Sequence, residues 1–203
     1  MDSKVKEVLE GTFVFHGHIC WASAMGARAG LAALQKLGVE RTGTSSDLHC
    51  QIEIGEHHGA QCFADGVQFA TGCTTGKGNF EKMGFGKLAF TLIDKKANKA
   101  VRVTYWPGHH KEVADSAFMQ KRSAGVPPTQ IDPGLAWKMV DMLMEAPEDE
   151  VLHVGEVEDF YYEDFGEVMG LVKCSNCGEM VSRKYIRLVG DNKMCLPCSG
   201  YGE

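Results

Sequence analysis

The chain has 203 residues, of which 44% are hydrophobic, and carries a formal net charge of −6 at pH 7. This length fits one well-packed core and one small appendage, because domains usually run about 100 to 200 residues. The acidic balance argues against a general nucleic-acid binder, and no segment approaches the roughly 18 apolar residues that a membrane span needs. The opening MDSKVKEVLEGTF lacks the pattern of a signal peptide, so we expect a cytoplasmic protein with reduced thiols.

Hydrophobic periodicity and turn residues predict the elements of the first half of the chain. The most helical stretch, residues 20–37, is rich in small residues and stops at Gly38. Its Gly26 and Gly30 lie on one face, where another backbone can approach closely. The predicted elements are a helix over residues 3–9, an extended segment over 12–18, a helix over 20–37, a strand over 47–54 and a helix over 60–69.

The second half of the chain continues to mix strands and helices. Residues 87–94 and 100–105 predict a hairpin. Helical patterns return at 111–124 and 133–145, a strand is predicted over 151–157, and acidic residues 158–167 are typical of a linker. Because no regular βαβ repeat emerges, the pattern predicts an α+β fold rather than a doubly wound sheet.

The last thirty residues carry a strong metal-binding pattern. Cys174, Cys177, Cys195 and Cys198 form C-x2-C-x17-C-x2-C, a spacing typical of zinc sites. Two such pairs supply the four soft ligands of a closed tetrahedral site, which stabilises a small domain but leaves no open position for chemistry. Two disulfides are the alternative, and the expected reducing compartment disfavours them.

A second cluster of candidate ligands lies near the N-terminus, in residues 15–20, FHGHIC. If this stretch is extended, His16, His18 and Cys20 point to one side and form a partial metal site. Cys20 also opens the predicted helix, where the macrodipole favours a thiolate. The alternative is a histidine that hydrogen-bonds to backbone and a buried Cys20 that acts as a small hydrophobe.

A third cluster follows in residues 61–79. On a helix, Cys62 and Asp65 are neighbours, and the glycine-rich turn after it presents Cys73 and Lys77 from closely approachable backbone. The glycine spacing does not match a Walker A loop. A different phosphate-binding turn, in which successive backbone N–H groups form an anion nest, is an alternative interpretation. His57 and His58 precede this helix and could approach the same cleft, but adjacent side chains diverge.

These motifs together resemble the FmdE family, named for the FmdE component of formylmethanofuran dehydrogenase. The resemblance rests on FHGHIC, on CFADGVQFATGCTTGKGN at residues 62–79 and on the four-cysteine tail, and it covers essentially the whole chain. It implies an α+β core domain over residues 1–165, a C-terminal treble-clef zinc finger over 166–203 and a homodimer. Cys50 falls outside the motifs and is expected in the core.

The resemblance also implies that both motifs converge on one cleft. In that cleft Asp65, Lys77 and Cys73 are the candidate catalytic residues, with Asp65 as a base or as an orienting partner of a ligand and Lys77 as the holder of an anion. Zinc, nickel or iron would suit the soft donors. The candidate ligands of this second metal are His16, His18, Cys20 and Cys62.

Two functional hypotheses follow. The first is a metal-binding protein whose core cleft holds a metal and a small anionic ligand, in one-carbon or redox metabolism. The second is a non-catalytic accessory or metal-delivery protein of a molybdenum or tungsten enzyme, whose zinc finger contacts partners. The family name implies that link, yet the FmdE component does not carry the catalytic centre of that enzyme.

A nucleic-acid-binding finger is the third hypothesis, and charge disfavours it. Residues 174–198 contain four basic and two acidic side chains, which give a formal charge of +2. Four thiolates around zinc contribute a net −2, so the finger is close to neutral and unsuited to phosphate binding.

Overall fold

The computed structural model describes residues 2–163 and 170–201. Its contacts divide the chain into two compact units, Met1–Tyr162 and Glu163–Glu203. The boundary expected at residue 165, and the end of the linker expected over 158–167, lie outside the described residues, so that boundary stays a prediction. Within the described part of the chain, no helix has the length and apolar character needed to cross a membrane.

The first unit is built from seven α-helices and six strands among the described residues. Its helices are α1 (Ser3–His16), α2 (Trp21–Leu37), α3 (His58–Thr71), α4 (His110–Ala114), α5 (Ala117–Ser123), α6 (Pro133–Glu145) and α7 (Glu148–Val151). Its strands are β1 (Leu48–Ile52), β2 (Phe80–Lys82), β3 (Ala89–Asp94), β4 (Lys99–Tyr105), β5 (Leu152–Val154) and β6 (Glu158–Asp159).

The strands form one mixed sheet in the order β2-β1-β3-β4-β5, with β6 also paired to β4. Only β2 runs parallel to its neighbour, and the other pairs are antiparallel. Helix α2 contacts β3, β4 and β5, while α1 and α3 both pack against α2. Phe63 of α3 and Phe90 of β3 are fully buried between these layers. The α+β class predicted from the sequence is confirmed.

The extended segment predicted over residues 12–18 is wrong, because α1 continues to His16. Gly11 does not end the helix. A Cβ at that position would lie 2.3 Å from the Phe69 ring, so the glycine instead allows close packing on α3. Burial of Leu9 and Phe13 stabilises the added turns, and the helix ends at Gly17, whose φ of 91° suits glycine.

Two other elements differ from the sequence expectation. The helix predicted over 111–124 is two helices, α4 and α5, because Ser116 accepts a hydrogen bond from the Met119 N–H and starts a new helix. The strand predicted over 151–157 is limited to β5. The hairpin of β3 and β4 turns at Asn98, which adopts a positive φ of 53°.

The tightest packing in the unit joins α2 to α3 through glycines. A Cβ at Gly26 would lie 2.0 Å from the Phe63 carbonyl oxygen, and one at Gly66 would lie 2.0 Å from the Ser23 carbonyl oxygen. Only glycine permits this approach of two backbones. The close contact fixes the start of α2 against the middle of α3.

Among its described residues, the second unit contains two antiparallel strand pairs, a 3-10 turn and a short α-helix. Strand β7 (Leu171–Lys173) pairs with β8 (Met180–Ser182), and β9 (Ile186–Val189) pairs with β10 (Asn192–Cys195). Helix α8 (Leu196–Ser199) follows directly. Each cysteine pair lies at a turn or helix start after a strand, as the small metal-binding finger predicted from the sequence requires.

Candidate functional site

The first motif meets the second where α1 ends and α2 begins. His16 is the last residue of α1, and Cys20 is the N-cap residue of α2. The chain reverses at Gly17, so these two side chains come together although the segment is not extended. Helix α3 brings Cys62 to the same place, and one ligand atom each from His16, Cys20 and Cys62 lies within 4.8 Å of the others. We call these three residues the core cluster.

Asp65 holds the histidine of the core cluster. Its Oδ2 lies 2.8 Å from His16 Nδ1, and the His16 side chain is 9% exposed. The other ring nitrogen, Nε2, is buried without a hydrogen-bond partner among the described residues. A carboxylate on one imidazole nitrogen and an unsatisfied second nitrogen beside two sulfurs is the arrangement of a metal-ligating histidine. The residues present therefore fit a metal.

The charges within the core cluster are strongly coupled. A hydrogen bond from Cys62 and the neighbouring His16 lower the pKa of Cys20 to about 3, whereas the Cys20 thiolate raises the pKa of Cys62. The same thiolate, together with Asp65, raises the pKa of His16 to about 9. Near neutral pH the cluster thus contains one thiolate, and a metal would displace the protons of His16 and Cys62.

The other candidate residues of the first motif and its surroundings lie beside the cluster. The ring centroids of His18 and His16 are 4.6 Å apart, but His18 is not one of the three residues whose ligand atoms converge. Burial lowers the pKa of His18. His58, at the start of α3, places Nε2 3.9 Å from the Cys62 sulfur. The sequence offered this histidine only as a neighbour of the cleft.

The glycine-rich turn of the second motif lies away from the core cluster. Lys77 is exposed and its Nζ donates a 2.7 Å hydrogen bond to the Gly43 carbonyl. Cys73 is fully buried, and burial raises its pKa to about 11. A helix rises about 1.5 Å a residue, so the far end of α3 is well over 10 Å from Cys62. The convergence implied for Cys73 and Lys77 is not seen.

Cys50 is a core residue, as expected. It is fully buried in β1, and burial, together with the nearby Cys73, raises its pKa well above the ordinary value. Such thiols are neutral and packed rather than reactive. Of the four cysteines outside the tail, only Cys20 and Cys62 therefore belong to the candidate site.

A cavity of about 520 Å³ opens beside the core cluster. Cys20 and Cys62 contribute to its wall, so two members of the cluster face this space. Aromatic side chains of Trp21, Tyr105 and Phe118 also line the wall. The sequence motifs gave no signal for Tyr105 or Phe118, because β4 and α5 reach the cavity only through the tertiary fold.

The family model described as FmdE, molybdenum formylmethanofuran dehydrogenase operon, matches residues 15–153. That match begins at the first motif and contains the core cluster and the cavity. The chain belongs to the FmdE family. The sequence resemblance stated above is thus confirmed at the level of the family.

A solved structure shares the fold of this FmdE protein. It is a tungsten formylmethanofuran dehydrogenase FmdE-like protein from Syntrophus aciditrophicus, 20% identical, with a TM-score of 0.59. The match covers 98% of this chain and 93% of that chain. At this identity the likeness establishes the fold and not the activity.

A curated relative of this FmdE protein comes from Archaeoglobus fulgidus and is called a probable S-adenosyl-L-methionine-binding protein. It is 28% identical over 98% of this chain. The FmdE chain spans about half of that relative, 54% of its length. The relative therefore contains a comparable length of sequence that this chain does not match.

The second unit contains the other metal-ligand cluster. Ligand atoms of Cys174, Cys177, Cys195 and Cys198 all lie within 4.8 Å of one another. The Cys195 N–H donates a 3.4 Å hydrogen bond to the Cys174 sulfur, and such backbone donors lower the pKa of Cys174 to about 6. These four cysteines could hold a metal, as the spacing predicted.

Proposed function

We propose that this FmdE protein binds two metals, a soft divalent metal in the core cluster and a structural zinc in the C-terminal finger. The observation that carries the core site is the meeting of His16, Cys20 and Cys62 within 4.8 Å, with His16 oriented by Asp65. Thiolates and imidazole suit zinc, and also nickel or iron. The finger has four thiolates and no oxygen ligand, which favours zinc.

The core metal is proposed to be an accessible one. Three protein ligands leave a fourth tetrahedral position, and two of those ligands, Cys20 and Cys62, line the cavity. A metal with an open position polarises a bound ligand or lowers the pKa of bound water. We therefore propose that the cavity binds a small ligand beside the metal. The family description places related proteins with formylmethanofuran dehydrogenase, and we propose a role in one-carbon or redox metabolism.

A non-catalytic accessory or metal-delivery role is the second candidate. It is favoured by the finger, on which Leu171, Met180 and Leu188 are each more than half exposed. Exposed apolar side chains of this kind suit contact with another protein. The two candidates differ in one measurable respect, because a delivery site must transfer its metal to an acceptor while a catalytic site retains it through turnover.

The S-adenosyl-L-methionine binding named for the Archaeoglobus protein is a further candidate for the ligand. An apolar and aromatic cavity of about 520 Å³ is of the size that small-molecule sites have. Calorimetric titration of S-adenosyl-L-methionine into the full chain tests the candidate. The homodimer and the metalloenzyme partner implied by the family resemblance stay predictions, the first testable as a solution mass twice that of the chain.

Metal analysis of the full chain tests the proposal. We expect two metals per chain in the wild-type protein and one after Cys62→Ser. Cys73→Ser is the matched control, because Cys73 is buried in the same unit but lies outside the core cluster; it should retain two. A Cys62→Ser protein that still binds two metals per chain would refute the core site.

A further inference from the structure

The cavity beside the core cluster has a largely apolar wall that contains one guanidinium, that of Arg122. Among the described residues that line it, Arg122 is the one arginine or lysine and none is an aspartate or a glutamate; the other ionisable groups of the wall include Cys20, His18, His57 and His58. Most of the remaining wall is aromatic or aliphatic, with Trp21, Tyr105, Phe118 and Met139 as its largest apolar members. A site of this composition selects an apolar ligand with one polar end.

Arg122 is only partly satisfied by the protein. It is half-buried on α5, and its Nη1 donates a 2.7 Å hydrogen bond to the Val126 carbonyl. No ion pair with a carboxylate is recorded for it in the described ranges 2–163 and 170–201. A guanidinium that is taken partly out of water and lacks an anion retains donors that a planar carboxylate can accept in pairs.

We propose that this cavity binds a small organic monocarboxylate with an aromatic or branched apolar body. The carboxylate pairs with Arg122, and the body packs against Trp21, Tyr105 and Phe118 on the way to the core cluster. Arg122 is the one arginine or lysine of the wall, so its guanidinium fork matches one planar carboxylate. Arg122 thus takes the anion-holding role that the sequence had suggested for Lys77.

The inference rests on the proposed function only where the ligand approaches the core cluster and its metal. Arg122 and the aromatic residues of the wall are not members of the core cluster, so the carboxylate preference does not need the metal, although Cys20 and Cys62 line the same cavity. The inference also explains why α5 is separate from α4. The new start at Ser116 sets the direction of α5, which carries both Phe118 and Arg122 to the cavity.

Isothermal titration calorimetry on the full chain tests the inference with two matched probes, 4-phenylbutyrate and 4-phenylbutan-1-ol. They share ring and chain and differ in the charged end. We expect the acid to bind at least about tenfold more tightly than the alcohol, because a charge-assisted pair with arginine is stronger than a neutral hydrogen bond. Arg122→Gln should remove that difference and leave the affinity for the alcohol unchanged.

Lys121→Gln is the matched control, since it removes the same charge from the neighbouring position, which is exposed and does not line the cavity. It should keep the preference for the acid. Equal affinities of both probes, the absence of binding of either at millimolar concentration, or equal loss in the two variants would overturn the inference. Metal content measured on the same samples separates the two proposals. If the protein contains no core metal but still prefers the acid, the proposed core metal is refuted and the carboxylate site is retained.

Discussion

Asp65 Oδ2 and His16 Nδ1 lie 2.8 Å apart and join the middle of α3 to the end of α1 across 49 positions of sequence. This hydrogen bond occupies Nδ1 and leaves Nε2, which is buried without a partner among the described residues, as the nitrogen available to a metal. Carboxylate partners of this kind set the tautomer of a ligating histidine and raise its basicity. We therefore expect Asp65 to act through His16 rather than on a ligand directly.

Asp65→Asn should weaken metal binding at the core cluster by about 10 to 100-fold, the usual cost of losing a partner of a ligating histidine. Asp141→Asn is the control, because Asp141 is exposed on α6. Competition with a chromophoric chelator measures both affinities, and the finger provides an internal reference that neither variant should change. Equal core affinities in the two variants would contradict the orienting role.

Metal affinity at the core cluster should rise with pH. The pKa of His16 is raised to about 9 and that of Cys62 is raised as well, so a metal must displace both protons below about pH 9. Cys20, with a pKa lowered to about 3, is already ionised and adds no pH dependence in this range. The chelator competition is repeated at pH 6.5, 7.5 and 8.5 to measure whether the affinity rises. Cys62→Ser, which lacks the core site, gives the signal of the finger alone, which is subtracted. An affinity independent of pH would contradict the expected rise.

The contribution of His16 to the stability of the metal-free protein should depend on pH in the opposite direction, while the lowered pKa of Cys20 changes the stability in the other sense. The folded pKa of His16 lies above its ordinary value of 6.5, so its contribution is fully present below about pH 6.5 and is lost as pH rises through about 9. Denaturant unfolding of the wild type and of His16→Gln at pH 6 and pH 9.5 isolates this contribution: the substitution should destabilise the protein more at pH 6 than at pH 9.5. Equal destabilisation at the two pH values would show that the charge of His16 does not contribute.

The sequence predicts which residues form the site better than it predicts how they are arranged. His16, Cys20, Cys62 and Asp65 were all among the candidates, because thiols, imidazoles and carboxylates are recognisable by type. The extended segment that was to align His16 with Cys20 is instead the end of a helix. Gly11 predicts locally that the helix ends, but the glycine instead allows the Phe69 ring to pack closely against a continuous α1.

The residues that sequence reasoning misplaced or missed depend on tertiary structure. Lys77 follows Cys62 by 15 positions, and the sequence motif does not reveal that helix α3 continues to Thr71 and separates the two residues. Arg122 lies on a short helix far from both motifs and reaches the cavity only because α5 packs on α6. No period or spacing in the sequence connects such a residue to the cluster.

Gly66→Ala should destabilise the first unit by about 1–3 kcal/mol, the typical cost of overpacking. Its Cβ would lie 2.0 Å from the Ser23 carbonyl oxygen, so α2 and α3 must separate. The control is Gly76→Ala, which has open space around the added Cβ and no left-handed backbone. Urea unfolding compares the two variants, and metal content should fall only in Gly66→Ala, because separation moves Cys20 from Cys62.

The finger should depend on its metal for folding. Its 41 residues contain few buried apolar side chains among those described, with Cys174 and Cys195 as the most buried. Structural zinc contributes folding free energy directly in units of this size. Cys174→Ser should therefore unfold the chain beyond about residue 170 and leave the first unit intact, as limited proteolysis would detect. Ser175→Ala, at an exposed position beside it, should retain a resistant tail, because its side chain supplies no ligand. A protease-resistant Cys174→Ser tail with full metal content would refute the four-cysteine assignment.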